Sequence, residues 1–155
     1  MLEFMETMMA DETASIGDGI YKTIVEDSPV AVIYADEGGV VRLWNRGAEE
    51  IFGWKQEEAL GRSMDFIIPE RYRARHWAGY SRTMQTGTTK YGRTLLAVPA
   101  LTKSGGTISI EFNVLLLKSA SGATVGIAAF LMDVTARRQK DMELRKRIAT
   151  LEAKS

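Results

Sequence analysis

The sequence predicts an α+β domain. Three observations lead there. The stretches 107–117 and 123–131 alternate apolar and polar side chains, the period-two signature of strands with one buried face. Two β-rich runs in "SPVAVIYADEGGVVRLWN" flank Asp36-Glu37-Gly38-Gly39, which carries hairpin turn chemistry. All the helical signals inside the domain fall in one block between that hairpin and the last third of the chain. Strands then helices then strands is not the βαβ alternation of a doubly wound sheet.

Taken in order, residues 1 to 27 read as helix with a break near Gly17-Asp18-Gly19. Leu2, Met5 and Met9 form one stripe and Ile16, Ile20 and Ile24 another, expected to pack on the domain or on a second copy of it. After the hairpin, Asn45 is placed to cap a short helix, and Gly53 and Gly61 to end short helices. Pro69 opens a longer helix and Gly87 closes it, with His76 in its first half. A strand is expected from Gly92 to Thr102, and Pro99 suits it to a sheet edge because proline has no N–H to give. The "KSGG" turn leads to a strand that buries Ile108, Ile110, Phe112, Val114 and Leu116 and wets Ser109, Glu111 and Asn113. The "SASG" turn leads to a last strand burying Ala123, Val125, Ile127, Ala129 and Leu131. The charged tail ends with Leu144, Ile148 and Leu151 at coiled-coil spacing, over less than the three or four heptads of a long coil.

Composition narrows the chemistry. The 155 residues suit one domain with a real core. Twenty basic residues cancel twenty acidic ones, so no global field draws the chain to nucleic acid. The absence of cysteine removes disulfides, thiolate zinc sites, thiol nucleophiles and iron–sulfur clusters. No signal-peptide pattern or membrane span stands out, so a soluble cytoplasmic protein without membrane partner is expected. Catalysis is not expected: there is no Cys–His pair, no serine placed as a strained nucleophile and no phosphate loop. Glu49, Glu50, Glu57 and Glu58 read as a solvated face, and Trp44, Trp54 and Trp77 as core or rim packing.

Four landmarks in this order, "SPVAVIYADEGGVVRLWNRGAEEIFGW", "EALGRSMDFIIPE", the "SGG" turn and "LMDVTARR", resemble a PAS domain from about Ile24 to Arg138. The resemblance implies a five-stranded antiparallel sheet with short helices on one face, enclosing a small apolar pocket. It divides the chain into an N-terminal flanking helix (1–23), the PAS domain (24–134) and a C-terminal linker helix (135–155). It implies a sensory and interaction module whose pocket holds heme, flavin, a chromophore or a metabolite, or nothing. The run with Pro69, Arg73, Arg75 and His76 resembles the heme helix of FixL-type oxygen-sensor kinases. By that resemblance His76 is the axial iron ligand and Arg82 a partner for a heme propionate, with Leu96, Phe112, Val114 and Ile127 as cofactor-binding residues. The oxygen sensors steady their gas with an arginine where Leu96 stands here, and Arg93 is three residues away. A lining of Leu96, Phe112 and Val114 favours carbon monoxide, nitric oxide or a redox role. The alternatives are a non-heme dimerisation module with an empty or small-metabolite pocket, or a noncovalent flavin; cysteine adducts are impossible here. Asp133 and Thr135 are placed to cap the C-terminal helix, whose stripe is expected to pair with a second copy and pass the signal to a downstream domain or partner protein.

Overall fold

A computed structural model describes residues 17–154. Residues 17–26 form helix α1, and the Leu2, Met5, Met9 stripe and Ile16 lie outside the described residues. Gly17, Asp18 and Gly19 are themselves helical, the chain before them, on which the expected break bears, lies outside the described residues, and α1 runs on across the 23/24 boundary. Intrinsic glycine propensity is a weak cost, about 1 kcal/mol per residue, and the surrounding helix formers outweigh it. Ile20 and Ile24 are exposed. Their stripe does not pack on the domain.

β1 (Ala31–Asp36) and β2 (Val41–Trp44) pair as the expected hairpin. Asp36 closes its turn: Oδ1 accepts from the Gly38 and Val40 amides and Oδ2 from Arg42 Nε at 2.7 Å. The short helices α2 (Arg46–Phe52) and α3 (Gln56–Ala59) and one 3₁₀ turn (Met64–Phe66) follow. Asn45 caps α2 and Gly53, at φ 78°, terminates it. Asn45 does far more than cap. Its Oδ1 accepts from both Val32 N and Ala48 N, and its Nδ2 donates to the carbonyls of Val25 and Val30. One buried amide thereby joins the end of α1, the start of β1 and the start of α2.

Three of the four glutamates of this block are fixed rather than merely solvated, and Glu57 is exposed as expected. Glu49 accepts from Lys55 Nζ and Gln56 N, Glu50 pairs with Arg46, and Glu58 bonds Lys55 N and pairs with Lys103. α4 (Glu70–Thr86) starts after Pro69 and stops at Gly87, φ 63°, as the two residues predict. β3 (Leu96–Leu101), β4 (Thr107–Lys118) and β5 (Thr124–Asp133) complete the sheet, and α5 (Thr135–Glu152) leaves it. β3 is shorter than expected. Gly92 to Thr94 form a bend and Leu95 is irregular, because glycine followed by polar residues offers the sheet little to bury.

The sheet is antiparallel throughout, in the order β2-β1-β5-β4-β3. Pro99 is therefore on an edge strand. Register places Ala31, Ile33 and Ala35 of β1 against Leu131, Ala129 and Ile127 of β5 on the inner face. That face is dry at one side: Ala31, Ile33, Val41, Trp44, Ala48, Phe52 and Ala59 are essentially sealed from solvent. It is open at the other: Leu96, Phe112, Val114, Leu116, Ile127 and Ala129 are only half-buried. The outer face departs from the wet face expected of alternation, since Leu115, Leu117, Phe130 and Met132 are exposed there.

Candidate functional site

α4 holds the candidate site because its register puts a row of rings on the domain side. Arg73, His76, Trp77, Tyr80 and Thr83 recur at helical spacing and all are at least half-buried, while Arg71, Arg75, Ala78 and Arg82 are exposed. Each buried member has an anchor. Arg73 donates to the carbonyls of Ile68 and Asp65, holding the first turn. Trp77 Nε1 donates to Asp65 Oδ1 at 2.7 Å, and its ring covers Gly39 so closely that a Cβ there would lie 2.2 Å from it. Tyr80 is the one buried residue of α4, and its hydroxyl donates to the carbonyls of Ala35 and Asp36. Burial pushes the Tyr80 phenol well above its usual range, so it stays a donor. At the far end Lys118 Nζ donates to the Gly87 carbonyl, where a cation suits the helix C-terminus.

His76 sits between these rings. Its imidazole meets Trp77 edge-on with centroids 4.7 Å apart and lies 6.0 Å from the Tyr80 ring. Burial lowers its pKa, and the nearby Asp65 carboxylate opposes that only in part, so the imidazole is neutral at pH 7. Nδ1 is buried and has no hydrogen-bond partner among the described residues. A neutral imidazole with an unused nitrogen has the chemistry of a metal ligand. No group of three or more His, Cys, Asp or Glu side chains converges among the described residues, so the donor set offers one protein ligand and not a cage.

The remaining residues expected at the site fall as follows. Leu96 pairs with Phe112, Val114 with Ala129, and Ile127 with Leu116, so all four named strand residues share the inner face. Arg82 is exposed and lies about 120° round the helix from His76, at 100° per residue. Its side chain makes no hydrogen bond or ion pair among the described residues. Arg93 is exposed in the bend before β3. The tryptophans pack: Trp44 in the core, Trp54 under the Arg62 guanidinium at 4.6 Å, and Trp77 on the hairpin turn. Sequence reading missed Tyr80 and the Trp77–Asp65 bond. The i, i+4 spacing of His76 and Tyr80 was the available signal.

At the exit, Asp133 Oδ1 accepts from Thr135 N and from its hydroxyl oxygen Oγ1, and Thr135 Oγ1 in turn accepts from Ser109 N. The N-cap itself is Val134, which offers no capping side chain; Asp133, one residue earlier, holds the first residue of α5 instead, and Thr135 ties that helix to β4 as well as to β5. Arg137 adds an ion pair to Glu111 of β4 at 2.6 Å.

Comparison with known proteins agrees with this geometry. An uncharacterized protein of Azorhizobium caulinodans is 33% identical over 123 residues, 79% of this chain and 16% of that protein. The sensor protein FixL of Bradyrhizobium diazoefficiens is 26% identical over 125 residues, 81% of this chain and 24% of that one. The chain thus spans a quarter or less of these relatives. The solved structure of an RNA-binding Light-Oxygen-Voltage receptor superposes with a TM-score of 0.71 at 20% identity, covering 85% of this chain and 37% of that one, which is a likeness of fold. No helix among the described residues is long and apolar enough to cross a membrane. The family profile described as PAS fold matches residues 25–139, and the chain belongs to that family of sensory domains.

Proposed function

We propose that this PAS domain is the input module of a cytoplasmic signalling protein, that His76 holds a heme as its one protein ligand, and that α5 carries the state of the pocket into a homodimer and on to a downstream domain or partner. The observation that supports it is His76 itself: neutral, desolvated, with Nδ1 unpartnered, on the helix that packs beside a half-covered apolar sheet face. The residues fit the group. An imidazole is a sufficient protein ligand for heme iron, the half-buried apolar side chains of the inner sheet face suit a flat macrocycle, and the free Arg82 guanidinium suits a carboxylate that reaches solvent. The heme would supply gas binding or a change of redox state at the iron. The protein supplies orientation. Trp77 and Tyr80 hold the helix so that His76 keeps its place, and Leu96, Phe112, Val114 and Ile127 present no hydrogen-bond donor. That lining favours carbon monoxide, nitric oxide or a redox signal over oxygen. No catalytic role is assigned to the domain.

The test is an ultraviolet–visible spectrum, oxidised, reduced and reduced with carbon monoxide, for the natural chain and for His76→Ala. A Soret band that shifts with the gas and fails in the variant supports the reading. A flat spectrum after hemin is supplied overturns it.

A second reading has its own observation. The exposed outer-face residues Leu115, Leu117, Phe130 and Met132 favour a dimerisation module whose pocket is empty or holds a small metabolite. A tight dimer that forms with no chromophore and no extractable small molecule supports that reading, and a monomer counts against it.

A further inference from the structure

Tyr80 is connected to more than α4. Its hydroxyl has one proton, and two carbonyls share it, those of Ala35 and Asp36. They sit where the β1–β2 register shifts, between Tyr34 and Ala35. Asp36 is the corner of the hairpin. Its carbonyl also accepts from Gly39 N, and its carboxylate holds Gly38, Val40 and Arg42. The turn therefore moves as a unit, and Tyr80 grips it. β1 is joined to β5 at the same level. Asp36 pairs with Gly126, Tyr34 Oη donates to the Val125 carbonyl at 3.2 Å, and a Cβ on Gly126 would lie 2.5 Å from the Ala35 oxygen. β5 then ends at Asp133, which holds Thr135 of α5.

His76 and Tyr80 are four residues apart on one helix face, so a shift or roll of α4 that reseats the imidazole displaces the phenol hydroxyl with it. A hydrogen bond of 3.1 Å is lost with less than about 1 Å of such movement. We infer that Tyr80 is a positioning residue through which occupancy beside His76 is read by the β1–β2 hairpin, making that hairpin a second moving element of the domain besides α5. The inference builds on the pocket proposed above, and asks only that something fills the space at position 76.

The experiment is hydrogen–deuterium exchange of the amides of residues 37–41 in the full chain, with two probes. The first is carbon monoxide added to reduced, hemin-loaded protein. The expected result is a change of about threefold or more in the exchange of these amides, absent in Tyr80→Phe although its Soret band remains. The second probe needs no heme. In His76→Ala, imidazole refills the vacated space and alters hairpin exchange, and in His76→Ala/Tyr80→Phe it does not. Failure to take up hemin removes the heme reading alone and leaves the imidazole arm to decide this one. Hairpin exchange that neither probe moves, or that moves equally without the hydroxyl, overturns it. Should Tyr80→Phe not fold, 3-fluorotyrosine at position 80 carries the same test: its fluorine resonance must shift with a probe, and a fixed resonance overturns the inference.

Discussion

Replacing Asn45 by alanine removes one side chain and breaks three junctions. Two buried amides, Val32 N and Ala48 N, lose the Oδ1 that accepts from them at 2.8 and 3.0 Å. The carbonyls of Val25 and Val30 lose Nδ2, but both are near enough to the surface to find water. The Ala48 contact is an N-cap, worth about 1 kcal/mol. The Val32 amide loses the acceptor that holds it and stays enclosed in the sheet, at about 1–3 kcal/mol. The sum is about 3 kcal/mol, a large part of the 5–15 kcal/mol about which such domains are stable. For a domain of this size it lowers Tm by about 6–12 °C. Urea unfolding followed by circular dichroism reads it as a lower midpoint at constant m. Two further variants separate the parts. Asn45→Ser keeps a cap oxygen and recovers about 1 kcal/mol. Asn45→Asp keeps the acceptor but faces an anion to the Val25 and Val30 carbonyls, so it is no better than alanine at pH 7. A loss under about 1 kcal/mol for alanine, or an aspartate variant as stable as the natural chain, refutes the hub.

Four further outcomes follow from the same geometry. Gly126→Ala places a methyl against Tyr34 and the Ala35 carbonyl and costs about 2–4 kcal/mol, whereas Gly61→Ala, with open space but φ +80°, costs about 1 kcal/mol; equal midpoints in urea contradict the steric argument. Because burial depresses the His76 pKa, the folded state resists its protonation. Stability is undiminished above the unfolded value of about 6.5 and falls as pH drops below it towards the folded one, so in the heme-free protein His76→Gln flattens the stability profile below about pH 6.5. Asp36 is held below the usual carboxylate range first by the Arg42 hydrogen bond, so its stabilisation is complete above about pH 4 and is lost in more acid solution. Asp36→Asn removes that acid dependence, as melting between about pH 2 and 5 reads out. Deleting residues 139–155, or introducing Ile148→Glu, lowers the dimer fraction measured by light scattering, and an unchanged mass assigns dimerisation to another surface.

The strand pattern was legible because the sheet buries one face and the period is two. The alternation of Ile108 to Leu116 is the inner face of β4, and Pro99 marks an edge. The helix ends at Asn45, Pro69 and Gly87 were legible because each acts within a few residues, Asn45 by a local hydrogen bond and Pro69 and Gly87 by their backbone preferences. What escaped is what depends on distance in the chain. Nothing near Asn45 announces that Val25 lies within reach of its amide, and nothing near Tyr80 announces Asp36, 44 residues away. His76 was found by its neighbours in sequence, yet its neutral state and idle nitrogen come from burial, which local sequence does not display.

Both rims of the sheet are interrupted. On β3 the outer rim offers Pro99, which has no N–H, and Leu101 N is already spent on the Ile67 carbonyl. On β2 the outer rim is occupied by its own chain: Val41 bonds Arg62 and Gly61, and Val40 bridges to Ser63. Both rims are interrupted as templates for a further strand. Copies of this domain crowded together, or strung in tandem along one polypeptide, are thereby protected from zipping into continuous sheets. Contact through side chains, on faces and helices, is favoured instead, where it remains reversible and selective.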